Sequence, residues 1–265
     1  MPSPAPWNPG RAPLLPRRDA DDDPRWSLLS LGITGASVVA VRSLPFALTL
    51  LGALVLHEAA HRVVARAHGA RVGWPIFLPA PVFLGTLGAL LPVRTWPRSA
   101  SALLEVGAAG PVAGVVVAGA VFAWRAAVAE PGGDTLPAPL AWWLVAFVVR
   151  GDAVALPAAD PWAHGAWAAC LVTGMNLLPL GQLDGGHVAS AVLGERARLV
   201  GWVAGALVVA LGWWWPWWWV WLAVLGALGG WRPVRADDRP LTLRARLVAG
   251  ASVATAVLTF VPVPA

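Results

Sequence analysis

Five consecutive residues carry the strongest chemical signal in the chain: His57-Glu58-Ala59-Ala60-His61, an H-E-x-x-H run. On a helix turning about 100° per residue, His57 and His61 share one face one turn apart, so both rings can reach one metal ion. Glu58 is offset toward the same side, where a carboxylate can take a proton from metal-bound water. The pattern arises by chance in soluble proteins. Here it lies in an apolar run, where three ionisable groups are costly without a partner. The alternative is a pair of histidines satisfied by interhelical hydrogen bonds, and the apolar setting weighs against it.

Zinc hydrolases usually offer three protein ligands and one open position for water. The third ligand is sought in Met175-Asn176-Leu177-Leu178-Pro179-Leu180-Gly181-Gln182-Leu183-Asp184-Gly185-Gly186-His187. Asp184 is the candidate, because Pro179, Gly181, Gly185 and Gly186 would break a helix there and let its carboxylate turn inward. A plain helix-end turn is the other reading of Asp184. His187 is an alternative ligand, although a hydrogen bond near the site or a surface role suits it better.

These residues have to be positioned by elements of an apolar chain. Of 265 residues, 58% are hydrophobic and only 12% charged, about half the charge of a soluble domain. Such a pool builds a lipid-facing surface more easily than a water-facing one. The apolar runs are Leu28–Val41, Pro45–Ala65, Ser101–Ala127, Trp162–Leu180, Leu199–Gly230 and Leu243–Val261. Leu199–Gly230 suffices for one tilted helix or two short ones. The run 141–149 is too short to cross, and 73–92 is interrupted by Pro75, Pro79, Pro81 and Pro92, which favours a hairpin or re-entrant segment shielded by protein.

All nineteen basic residues are Arg. With the N-terminus inside and a turn at Pro216, sixteen of the nineteen fall on one side of the bilayer, as the positive-inside rule requires. His57, His61 and Asp184 then share one depth near the cytoplasmic side. The basic balance therefore reads as orientation, with no nucleic-acid partner. The Trp cluster at 213–221 reads as an interfacial belt on the outer face. Cys170 reads as a small buried hydrophobe. His68 reads as an exposed loop residue, His164 as lying on the outer side far from the metal, and Asp152 and Asp160 as solvated loop charges. Gly110-Pro111 either kinks its helix toward the site or serves packing.

Taken together, the H-E-x-x-H helix and the N-x-x-P-x-x-x-L-D-G run resemble the site-2 protease family of intramembrane metalloproteases (M50-type). The FLPAP run at 77–81, GTLGA at 85–89, GAAGPVAG at 107–114 and NLLPLGQLDGGH at 176–187 resemble its EGY-like branch and prokaryotic relatives. The resemblance covers roughly residues 45–195. It implies zinc held by His57, His61 and Asp184, with Glu58 as general base and Asn176 helping to hold the substrate or the oxyanion. It also implies that 73–92 forms membrane-associated strands beside the cleft. Glu105 stands where this branch often has Asp.

The expected architecture is an all-α polytopic membrane protein with six or seven transmembrane helices and a strand or re-entrant segment near 73–92. A disordered cytoplasmic tail at 1–25 precedes a single transmembrane protease domain at 26–265. The expected location is the cell membrane, as a multi-pass protein of a prokaryotic plasma membrane, with the active site toward the cytoplasm. The expected function is hydrolysis, with one zinc ion per chain, of peptide bonds in or near transmembrane segments of other membrane proteins. The alternatives are a zinc-binding membrane transporter or an inactive scaffold of the same fold. Oligomeric state is left open.

Overall fold

The first helix begins where its sequence supplies a cap. Asp23 accepts a hydrogen bond from the Arg25 N–H at 2.9 Å, and Pro24 occupies the first turn, where its missing N–H costs nothing. Helix α1 thus runs Pro24–Val41, beginning inside the stretch expected to be tail. The computed structural model describes residues 23–128, 134–152, 154–227, 236–237 and 240–260, so residues 1–22 of the tail expected at 1–25 lie outside the described residues. Helix α2 (Leu44–Ala67) repeats the device with Ser43 as cap and Pro45 in the first turn.

Between α2 and α3 (Ala100–Val128) the chain forms two antiparallel ribbons. Strand β1 (Arg71–Val72) pairs with β4 (Val93–Thr95), and β2 (Ile76–Pro79) pairs with β3 (Thr86–Leu90). The hairpin expected over 73–92 is therefore present. Its prolines fall at strand ends or in turns, where a ladder N–H is not needed. The hairpin leans on α1: the Phe77 N–H donates to Ser30 Oγ at 3.1 Å, and Arg42 Nε donates to the Phe83 carbonyl at 2.8 Å. Gly85, with φ +82°, lies so close to the Val38 backbone that a Cβ would collide with it.

Beyond α3 come a third ribbon, β5 (Thr135–Leu136) with β6 (Leu156–Pro157), and α4 (Leu140–Arg150). Then follow α5 (Pro161–Asn176), α6 (Asp184–Leu193), α7 (Ala197–Leu211), α8 (Trp217–Ala227) and α9 (Leu243–Thr259). Among the described residues, α2 and α3 are the helices long and apolar enough to cross a membrane. Over its described residues, 199–227, the apolar run takes the two-helix form, broken at 212–216 before Trp217.

The run expected to span from Trp162 to Leu180 ends its helix at Asn176. Pro179 is the reason, since it lacks an N–H and disfavours helical backbone at the residue before it. Asp160, expected as a solvated charge, caps α5 through the N–H groups of Trp162 and Ala163 and pairs with Arg125 Nε at 2.6 Å. Asp152 is exposed as expected, beside Arg150.

The core fills the space among α2, α3, α4 and α5 with Phe46, Leu50, Phe122, Trp142, Trp167 and Leu171. Between helices in lipid, such side chains stabilise through close van der Waals packing rather than through removal from water. The two buried indoles keep their N–H groups bonded, Trp142 to the Val154 carbonyl and Trp167 to the Pro137 carbonyl. Cys170 is buried in this core, as expected. Helix α3 lies centrally and touches α2, α4, α5, α6 and α9. That placement decides the geometry of the site.

Candidate metal centre

His57, Glu58 and His61 are all buried on α2, and Asp184 opens α6. The seven residues between α5 and α6 form a tight turn, closed by hydrogen bonds from the Leu180 N–H to the Leu178 carbonyl and from the Leu183 N–H to the Leu180 carbonyl. Gly185 and Gly186, expected as helix breakers, instead lie inside α6. They let its first turn press on the carbonyls of Leu177 and Gly181, where a Cβ would collide. Asp184 thereby presents its carboxylate from a helix N-terminus, where the helix dipole favours negative charge.

His57, His61 and Asp184 converge on one point. His57 Nε2 lies 3.1 Å from Asp184 Oδ2, His61 Nε2 lies 3.1 Å from Asp184 Oδ1, and the two Nε2 atoms lie 3.1 Å apart. Tetrahedral zinc with bonds of ~2.0–2.1 Å separates its ligand atoms by roughly 3.3 Å, so this N₂O donor set fits such an ion. The ligand atoms of His57, His61 and Asp184 all lie within 4.8 Å of one another. Glu58 supplies no atom to that set; it is buried on α2 next to His57 in sequence.

His61 Nδ1 lies 2.7 Å from the Val106 carbonyl. A carbonyl only accepts, so Nδ1 donates and Nε2 is left as the metal-binding nitrogen. Val106 was not legible as a site residue, because a main-chain carbonyl has no signature in side-chain type. The glycines of α3 did carry a signal. Gly107, Gly110 and Gly114 share one helix face, and the structure sets that face against the site. A Cβ on Gly107 would meet Asp184 and His187, one on Gly114 would touch Thr173 and His57, and one on Gly110 would collide with the His61 ring. Gly110-Pro111 thus serves close packing on the histidines. We expect Gly110→Ala to lower the metal content of purified protein strongly, whereas Gly119→Ala, which meets open space, should leave it unchanged; equal metal in the two variants would contradict this packing.

The remaining candidates fall as follows. Asn176 is the last residue of α5, half-buried, at the start of the turn that leads to Asp184. His187 is buried, which removes the surface role. Its ring lies against Trp96, with centroids 4.3 Å apart, and its Nδ1 has no hydrogen-bond partner among the described residues. His68 is exposed as expected but not idle: it caps α2, and its Nε2 lies 3.1 Å from Glu105 Oε2, which Arg244 Nε also approaches at 3.3 Å. Glu105 therefore ties the end of α2 to α3 and α9. His164 packs edge-on against Phe46, eleven residues before His57 and so about 16 Å away along α2 at 1.5 Å per residue.

Comparison with known proteins agrees with this geometry. The chain is 31% identical over 170 residues to the probable zinc metalloprotease EGY2, chloroplastic, of Arabidopsis thaliana, covering 60% of this chain and 30% of that protein. Its counterpart in Oryza sativa subsp. indica is 30% identical over 179 residues, covering 64% and 31%. The probable zinc metalloprotease EGY1, chloroplastic, of Arabidopsis thaliana is 28% identical over 169 residues, covering 58% and 30%. The chain thus spans less than a third of the length of these relatives. No solved structure matches it. The model of peptidase family M50 matches residues 45–210, more than half of the chain and every residue of the histidine–aspartate cluster. The chain is a member of peptidase family M50.

Proposed function

We propose that the protein is an intramembrane zinc metalloprotease that cleaves peptide bonds within or near transmembrane segments of other membrane proteins. The observation that carries this reading is the convergence of His57, His61 and Asp184 on one point beside the buried, non-ligating carboxylate of Glu58. A transport or structural site has no need of such a base.

Held by His57, His61 and Asp184, zinc would polarise the scissile carbonyl and make water acidic enough to attack near neutral pH. Glu58 accepts the proton of the attacking water at its carboxylate and returns it to the leaving nitrogen. Asn176 donates a hydrogen bond from its amide to the oxygen that becomes negative. Val106 holds the His61 ring in register through its carbonyl. A substrate helix has its carbonyls bonded internally and must unwind before attack. Strands β2 and β3 pair only with each other among the described residues, which leaves a ladder edge that an unwound strand can join.

The membrane setting rests on α2 and α3 and on an apolar exterior. Val116, Phe147, Val148, Leu199, Trp202, Leu207 and Leu247 are all exposed, too much apolar surface for a water-facing protein. The chain crosses six or seven times, with the metal end of α2 toward the cytoplasm of a plasma membrane. In a Cys170→Ser background, single cysteines near Arg71 should label from the cytoplasmic side and those near Asp134 from the opposite side. Labelling of both from one side would overturn the topology and the shared depth of the ligands.

The test of the function is zinc content measured beside cleavage of a helical membrane substrate in detergent. About one zinc per chain together with metal-dependent cleavage is expected. Zinc without cleavage of any membrane substrate would move the reading to a transporter or inactive scaffold.

A further inference from the structure

Beyond the metal centre, α2 ends in a basic pocket. A cavity of about 180 Å³ is lined by Arg66, Ala70, Arg71, Val72 and Arg94. Three of its five lining residues are arginines and none is acidic. Arg66 comes from the last turn of α2, Arg71 from β1 and Arg94 from β4. Among the described residues, no carboxylate pairs with Arg66 or Arg71. Other arginines of this region are used differently: Arg62 donates to the Gly73 carbonyl and stacks over Trp74 at 3.7 Å.

Like charges gathered around one cavity repel, and the repulsion is relieved by an anion that several guanidinium groups can grip at once. A phosphate group has that shape and charge. Depth favours a particular source. Helix α2 is apolar and long enough to span, and Arg66 lies at its end, so the pocket opens at the height where lipid headgroups sit. We infer that Arg66 and Arg71 form a binding site for a phosphate group, supplied by the headgroup of an anionic phospholipid. This rests on reading α2 as a membrane span.

The position gives the ligand a consequence. Arg66 follows His61 by five residues, about 7.5 Å along the helix axis. Arg71 and Arg94 belong to the β1–β4 ribbon that frames the hairpin proposed to receive substrate. A phosphate gripped by Arg66 and Arg71 would pin this ribbon to the helix that carries the metal ligands. Anionic lipid would then steady the substrate-binding strands without touching the reacting atoms.

The test uses the full chain in nanodiscs of phosphatidylcholine, with and without phosphatidylglycerol, with bound lipid read by mass spectrometry. A charge-matched control removes two arginines elsewhere: Arg196→Gln with Arg198→Gln. Wild type and control should retain phosphatidylglycerol, and Arg66→Gln with Arg71→Gln should retain about tenfold less or lower still, because the direct charge-assisted hydrogen bonds to one phosphate are lost only there. Equal retention by all three proteins, or equal loss in both double variants, would overturn the site. A second arm titrates inorganic phosphate into detergent-solubilised protein. Saturable binding that the pocket variant loses, without selective lipid retention, would keep the phosphate site but overturn the lipid source. Failure to enter bilayers of either composition would overturn the span reading instead, and the phosphate arm would still judge the pocket.

Discussion

Asp184→Ala is expected to strip the metal from the protein. The carboxylate is the only ligand contributed by α6, and each of its oxygens lies 3.1 Å from one histidine Nε2. Without it, two buried imidazoles would face each other with one coordination position lost. Losing an outer-shell partner alone costs about 10–100-fold in metal affinity, so loss of a direct ligand should exceed that. His57→Ala and His61→Ala should do the same, and His61→Ala also leaves the Val106 carbonyl without its ring partner. Elemental analysis after dialysis should give about one zinc per wild-type chain and close to none in each variant. Wild-type zinc in all three would mean that the cluster is not the metal site.

The same cluster shows what sequence could and could not reveal. His57 and His61 were legible because helical periodicity alone puts them on one face, and α2 is a regular helix throughout that stretch. Asp184 was legible because Pro179 forces the chain to turn just before it. The proline-broken segment 73–92 was legible as a hairpin for the same reason: Pro ends a ladder as surely as it ends a helix. What stayed hidden depended on contacts between distant segments. The Val106 carbonyl meets His61 only because α3 crosses α2 at Gly110, and no local pattern encodes that crossing. His68 looked like an exposed loop residue and Asp160 like a solvated loop charge because their partners, Glu105 and Arg125, lie more than thirty residues away. Element ends were read too late or too long where caps outweighed hydropathy, as at Pro24, or where a proline just before the apolar boundary ended the helix early, as Pro179 does at Asn176.

Glu58→Gln tests the central claim most directly, because it separates the metal from the chemistry. Glu58 is buried at the cluster but contributes none of the three ligand atoms. The change keeps the side chain's shape and removes its capacity to accept a proton. Metal content and fold should therefore survive, while cleavage should fall by at least the roughly 10²–10⁴-fold that a positioned general base contributes. The decisive measurement is cleavage of a helical membrane substrate in detergent by wild type and Glu58→Gln at matched zinc content. Zinc retained with cleavage nearly abolished is the predicted result. Cleavage by Glu58→Gln at near the wild-type rate, with zinc present, would contradict the account.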